Sequence, residues 1–549
     1  MSGKIEEVKA IKNQQFTCIV KTEGAWREDG KGLNIWDEFV HRTPSPIADH
    51  LTGDIACDSY HKYREDVALL KYLRAGVYRF SLSWSRILPS GRVDYINPAG
   101  IKHYNDLIDL LLENGIEPIV TLHQWDFPQP LMEIGGWSNN EVISHFVNFS
   151  HLAFRTFGDR VKKWVTFNEP NAMCFWGYLV GSEAPGLRNI EEAKNCVHNV
   201  LRSHAKTYHL YDRIFRKQQH GKIGMLIFTQ WFEAKNQSNP SHVKMAEFAV
   251  QITWGVVASP IFFGKYPDEF AEFLGRLSQK QGVVSTPFQF TLAEAAELRG
   301  SWDFCGIAHY TTSLIEPTTP NHGSAGISDP IGIKLSSDPS WHAGASSSTT
   351  WSFYVVPWGL RKMLNWIKKR YGNPPIYLLE NGYQGHPEDG LEDHERAEYH
   401  RSYINEMLKA VRIDGVNVQM YGAWTLLDSF EWEDGYSVNF GVVAVNFSDP
   451  ERKRTPKLSG AFLKKHVPRP KQMRIVRNNQ NTIPYVNLST PHHLTRHRLM
   501  GSESLPTKEG YFPRWGLEVV YMDEECFTSQ KFIRGIEGVG TKRPSSVSG

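Results

Sequence analysis

Seven short apolar runs, each followed by a longer amphipathic stretch, limit most strongly how this chain can fold. The runs begin at Val77, Glu117, Lys162, Lys222, Asp303, Pro375 and Val418. Strands that alternate with helices form a parallel sheet, because each helix carries the chain back before the next strand sets out in the same direction. The intervening segments, such as 101–115 and 401–411, repeat apolar residues every three and four positions, as helices on the outside of such a sheet do. Residues 138–158 are predicted to form one of these helices. Ser138 and Glu141 make a capping-box pattern, Val142, Ile143, Phe146, Phe149, Ala153 and Phe157 mark one face, and Gly158 can end it.

Rolled into a cylinder, these units give an α/β fold, a single (β/α)8 TIM barrel. The chain has 549 residues, more than most domains, but barrels of this kind exceed roughly 400 when loops are inserted. The predicted organisation is a flexible start over 1–12, one barrel over 13–479 and a disordered tail over 480–549. From about Gln480 the composition turns to Ser, Thr, Pro, His and charge.

Composition narrows the partners. With 41% apolar and 22% charged residues and a formal charge of +2, the chain offers no electrostatic reason to bind nucleic acid or an acidic membrane surface. A neutral small molecule or oligosaccharide suits it better, and no membrane span is expected. The six cysteines, Cys18, Cys57, Cys174, Cys196, Cys305 and Cys526, contain no CxxC pair and are read mostly as buried thiols. His492, His493 and His497 lack a carboxylate or thiol at ligand spacing, so no metal and no cofactor is expected. The charged start of the chain has no apolar core of a secretory signal, which predicts a cytoplasmic protein. Against it stand four Asn-x-Ser triplets, at Asn148, Asn236, Asn446 and Asn487, which would be glycan acceptors in a secreted chain.

Two strand-like runs end in glutamate: Thr166 to Pro170 contains Glu169, and Leu378 to Gly382 contains Glu380. More than two hundred positions separate them, so they can meet only where a fold gathers the ends of distant strands. Barrel enzymes build their sites there. Cleaving an acetal between sugars needs one carboxylic acid to protonate the departing oxygen and a second carboxylate at the anomeric carbon. Glu169 and Glu380 fit those two tasks. A lone Glu-Asn-Gly can equally close a turn, and the same five residues recur at Leu111–Gly115, where they are predicted only to end a helix.

Longer matches accompany the two glutamates. Gly24–Gly32, Asp58–Val67, Tyr78–Gly91, Thr166–Pro170, Ala184–Gly186, His309–Thr312, Leu378–Gly382 and Leu426–Trp432 occur in that order. With these motifs the chain resembles the family 1 glycoside hydrolases, within them the animal lactase-like and cytosolic β-glucosidase branch, from about Glu23 to about Asp449. The resemblance implies a retaining β-glycosidase acting on β-glucosides or β-galactosides by double displacement, with Glu169 as acid/base and Glu380 as nucleophile. The anion of Glu380 is expected to raise the pKa of Glu169. It further implies that Asn168 bonds the sugar 2-hydroxyl and that Arg79 and Tyr310 hydrogen-bond the nucleophile. Trp424 would be the aromatic floor, and Glu431 and Trp432 would take the outer hydroxyls. The alternative is a silent, klotho-like binding member of the same fold. Such members tend to lack one catalytic glutamate, and plant thioglucosidases replace the acid/base by glutamine, whereas this chain keeps both.

The chain also departs from that family. Lys21 stands where a glutamine bonds the glycone, and the usual first strand is missing, with residues 14–21 as its substitute. A barrel without a sound first strand would expose two sheet edges. Gln124 replaces a histidine before Trp125, Ala308 replaces a frequent asparagine, and Trp351 sits one place early for the aglycone tryptophan. Each lost hydrogen bond would cost about 0.5 to 1.5 kcal/mol, enough to weaken turnover. The odd start and the added end suggest an alternative splice form or an imperfect gene model.

Overall fold

Each of eight parallel strands is hydrogen-bonded to two neighbours, and the ring they make is closed. In the computed structural model, which describes residues 12–16, 19–281, 288–319, 332–345 and 352–466, the strands are β1 Lys12–Phe16, β2 Val77–Ser81, β3 Glu117–His123, β4 Lys163–Asn168, β5 Lys222–Ala234, β6 Phe304–Pro317, β7 Ile376–Glu380 and β8 Val418–Trp424. They pair in chain order from β1 to β6. β6 then pairs with β7, β7 with β8, and β8 with β1. All seven strands anticipated from the sequence are present.

The eighth place is taken by β1. Its residues pair with Met420–Trp424 on one side and with Val77–Arg79 on the other, so the expected open edges do not arise. The substitute strand lies earlier than residues 14–21 suggest, and Ile19–Thr22 is a single helical turn instead. The predicted tail over 480–549, the start before Lys12, Trp351, Cys18, Cys526, Asn487 and the three tail histidines lie outside the described residues.

Helices follow the strands because their ends are locally specified. Asn97 accepts from the Ala99 backbone N–H and places Pro98 at the first position of the helix Pro98–Glu113. Asn189 accepts from Glu191 and Glu192 N–H groups at the head of Ile190–Ile214, where those two acids also suit the positive end of the helix. The helix expected over 138–158 runs Val142–Phe157, and its six face residues are buried. The capping box does not form. Ser138 belongs to a preceding 3₁₀ turn and donates to the Glu192 carbonyl, while Asn139 accepts from Glu141 N–H. Gly158 does end the helix, and Leu111–Gly115 ends the helix Pro98–Glu113.

One helical stretch, Pro240–Phe263 (24 residues), is long and apolar enough to cross a membrane by length and composition. Its first half, Pro240–Val250, packs on β5 and β6 instead. The cysteine expectation needs a correction too: Cys174 and Cys196 are joined in a disulfide, while Cys57 and Cys305 are buried thiols. The crosslink ties a π-helical turn, Cys174–Val180, to the helix Ile190–Ile214.

Candidate active site

At the carboxyl ends of the strands, side chains from all around the ring converge on one pocket. Lys21 follows β1, Gln124 and Trp125 follow β3, Glu169 follows β4, Tyr310 lies on β6, and Glu380 and Trp424 are the last residues of β7 and β8. Asn168, Glu431 and Trp432 complete the sequence-derived set there, with Arg79 of β2 behind them. Two strand irregularities aim the key residues. The β4–β5 register shifts between Val165 and Asn168, and the β7–β6 register shifts between Leu378 and Glu380. Glu169 itself has a left-handed backbone, φ 45°, a conformation that non-glycine residues adopt at a cost and that recurs where function requires it.

A continuous chain of hydrogen bonds joins the two glutamates. Arg79 Nη1 donates to Glu380 Oε1 at 2.6 Å, Arg79 Nη2 donates to Asn168 Oδ1, and Asn168 Nδ2 donates to Glu169 Oε2 at 2.9 Å. Tyr310 Oη donates to the other oxygen of Glu380 at 2.7 Å. Arg79 is fully buried and Glu380 almost so, and Thr121 accepts from Arg79 Nε at 2.8 Å. Buried charge-assisted bonds of this kind fix a carboxylate's direction. Glu169 is partly open through the pocket mouth, yet protein surrounds its carboxyl. Burial, then the nearby Glu380 charge, hold its pKa well above the carboxylate range, against the lowering pull of Arg79, Lys21 and Asn168. The direction matches the sequence argument, but burial outweighs Glu380 as its cause.

The aromatic residues form a wall. Trp125 stacks on Trp432 with ring centres 4.9 Å apart and donates its indole N–H to the Asn168 carbonyl at 2.9 Å. Trp432 packs in turn against Trp36. Gln124 is buried, and its Oε1 accepts from Arg79 Nη2 at 3.4 Å, so the shorter reach of an imidazole is replaced by a contact with the same guanidinium. Ala308 sits in β6 opposite Glu380 but does not line the pocket.

Lys21 is the unexpected feature. Its ammonium donates to Glu431 Oε2 and lies 5.2 Å from the Trp424 ring centre and 4.8 Å from that of Trp432. Burial raises the Glu431 pKa, while Lys21 and the Ser429 hydroxyl, 2.8 Å away, pull it down. The segment carrying Lys21 is anchored by Glu23. That carboxylate accepts from Arg86 Nε at 2.9 Å and from Tyr104 Oη at 2.9 Å. Burial would raise its pKa, but Arg86 and the neighbouring His103 bring it down to about 2.

Sequence reasoning missed several pocket residues: Trp176, Glu183, Phe228, Gln384 and the pair Glu433 and Asp434. Glu433 and Asp434 directly follow Trp432, and Glu183 directly precedes Ala184–Gly186, so closeness to a recognised motif was the available signal. Burial and the adjoining Glu433 push the Glu183 pKa well up. The free volume of the pocket is ≈ 100 Å³. An adjoining chamber of ≈ 490 Å³ shares Trp176 and Phe228 with it. That chamber is larger but mostly apolar, with no carboxyl among the described residues that line it, so the chemistry is assigned to the smaller pocket. Among the described residues no group of three or more His, Cys, Asp or Glu side chains is arranged to hold a metal ion.

With this geometry in place, comparisons with known proteins are informative. The glycosyl hydrolase family 1 profile matches residues 16–471. The chain is similar to a cytosolic beta-glucosidase of Cavia porcellus, 40% identical over 466 residues that cover 84% of this chain and 96% of that protein. It is also similar to a lactase-like protein of Homo sapiens, 42% identical over 453 residues covering 81% and 79%. Among solved structures it resembles aphid myrosinase, with a TM-score of 0.79 and 39% identity over 84% of this chain and 99% of that one.

Proposed function

This chain belongs to glycosyl hydrolase family 1, and on that premise we propose how its pocket works. The protein is a retaining β-glycosidase, an O-glycosyl hydrolase that cleaves β-glucosides or β-galactosides in two displacements. In our reading Glu380, oriented by Arg79 and Tyr310, attacks the anomeric carbon while Glu169 gives its proton to the departing oxygen. A glycosyl ester on Glu380 results, and the aglycone leaves as an alcohol. Glu169, now ionised, takes a proton from water as that water attacks the anomeric carbon, breaking its bond to Glu380 and restoring both carboxyls as the sugar is released.

The observation that carries this reading is the chain Glu169, Asn168, Arg79, Glu380, Tyr310. It gives the two carboxyls different surroundings in one pocket, as acid and nucleophile require. Trp424, Trp432, Trp125 and Gln124 are assigned to binding the sugar. A binding-only, klotho-like role is not favoured, because both glutamates are present and wired together. The test is release of nitrophenol from an aryl β-glucoside by the purified chain beside Glu380→Ala and Glu169→Ala. Loss in the Glu380 variant of roughly four orders of magnitude is expected. Equal release from all three would remove the enzymatic reading.

The naming of a cytosolic relative supports the cytoplasm as compartment, while the Cys174–Cys196 disulfide favours an oxidising one. Thiol counting on protein from its native cells decides between them: a cytoplasmic pool should carry both as free thiols, and a quantitative crosslink would contradict that assignment.

A further inference from the structure

Resting on the glycosidase reading above, we propose that the Cys174–Cys196 disulfide is a redox switch on the leaving-group side of the pocket. Closed, it holds Trp176 where an aglycone packs. Opened by a dithiol, it lets Trp176 shift, so that binding of the aglycone weakens while the two glutamates keep their geometry.

Glu169 must protonate the departing oxygen, so the leaving group lies on its side of the pocket. The chain running on from Glu169 forms that wall, first as a single helical turn, Pro170–Met173, and then as the π-helical turn Cys174–Val180. Trp176 of that turn lines both the catalytic pocket and the apolar chamber beside it. So does Phe228, which meets Trp176 edge to face with ring centres 5.5 Å apart. Lys21, Trp424 and Glu431, at the sugar end, line the pocket but not the chamber. Trp176 therefore stands at the boundary that an aglycone crosses.

The two ends of the π-helical turn are held differently. Its far half is pinned by backbone bonds, from Leu187 N–H to the Gly177 carbonyl and from Asn189 N–H to the Tyr178 carbonyl, each 2.9 Å. Its first residue is tied covalently to Cys196, inside the helix Ile190–Ile214, and Trp176 lies between the two. π-Helical turns are rare beside the ordinary i−4 pattern. Without the crosslink the head of this turn is free to return to that pattern, which carries Trp176 around the helix axis. Both sulfurs are buried, but Cys174 lines the ≈ 490 Å³ chamber, which has room for a small dithiol. One thiolate of the dithiol attacks the Cys174 sulfur and expels the Cys196 thiolate, and the second then displaces Cys174. The dithiol gives up two electrons and leaves as a cyclic disulfide, and its two protons pass to Cys174 and Cys196.

The experiment compares the oxidised full chain, the same chain kept in dithiothreitol, and Cys196→Ser on two substrates, with thiols counted on the folded protein. 4-Nitrophenyl β-D-glucopyranoside carries an aromatic aglycone, whereas β-D-glucopyranosyl fluoride loses a single atom and offers Trp176 nothing to hold. In both opened forms the nitrophenyl-to-fluoride ratio of kcat/KM should fall about two- to tenfold, the worth of one aromatic contact, mainly through the nitrophenyl KM. Reoxidation should restore the ratio in wild type and not in the variant. An unchanged ratio, or an equal loss on both substrates, would mean that the disulfide only stabilises the fold and would overturn the proposal. So would a crosslink that never closes in air, or one that the dithiol cannot open in the folded chain. No release from either substrate by the oxidised protein would instead overturn the parent reading, and this one with it.

Discussion

At the reacting end of the pocket, five side chains from four strands, two of them the adjacent Asn168 and Glu169, are joined by hydrogen bonds. At the opposite end, Lys21 enters from a helical turn after β1, takes Glu431 for itself and shares the faces of two tryptophans. The contrast separates chemistry from recognition. Acetal cleavage tolerates little change in the acid, the nucleophile and the groups that orient them, whereas the atoms that read a sugar's outer edge can be exchanged one by one. Lys21 stands in that outer region, bonded to Glu431 and beside two indole rings.

Variants at each end sharpen this comparison. The largest effect is expected at the reacting end, from Glu169→Gln. With a poor, alkyl leaving group kcat/KM should fall about 10²- to 10⁴-fold, and with a dinitrophenyl leaving group far less, because the latter departs without a proton. The pH profile gives the same separation. Glu169 works protonated and its pKa is raised, so wild-type activity declines as pH rises through that value. The variant should lose this alkaline limb. A limb that persists in the glutamine variant would assign the proton to another group.

A smaller effect is expected where the chain after β1 is tied down. Glu23 is buried with its pKa lowered to about 2, against about 4.5 when unfolded. A lowered carboxyl pKa adds stability that is present above the unfolded value and lost as pH falls through the folded one. The two values correspond to about 3 kcal/mol. Glu23→Gln should therefore be less stable than wild type in urea at pH 7 by about that amount, with the gap narrowing from pH ~4.5 toward 2. A gap that stays constant with pH would show that Glu23 is not the anchor of the Lys21 segment.

The two glutamates were legible because they sit in strand-ending motifs, Asn168–Glu169 at the end of β4 and Leu379–Glu380 at the end of β7, whose position in a barrel follows from the alternation of strands and helices. Arg79 and Tyr310 lie inside β2 and β6, and only the family resemblance pointed to them. The far end was legible only in part. Lys21 stood out as a replaced glutamine and Glu431 as a hydroxyl-binding residue, but their pairing did not, because a contact across 410 positions leaves no trace in local pattern. The same limit hid the Cys174–Cys196 crosslink, whose spacing matches no motif, and Glu183, which only the fold brings beside Glu433. The first strand was misplaced for a different reason. Residues 14–21 are apolar enough to read as strand, but β1 ends at Phe16 and Ile19–Thr22 is a helical turn. The failed cap at Ser138 is a tertiary effect, since its hydroxyl is taken by the Glu192 carbonyl.

The stereochemistry of the first product tests the central claim most directly. Proton NMR on a β-glycoside, recorded before mutarotation proceeds, should show the β-anomer of the free sugar appearing first, since attack by Glu380 and then by water inverts the anomeric carbon twice. First appearance of the α-anomer would mean a single displacement by water, and would contradict the assignment of Glu380 as the nucleophile.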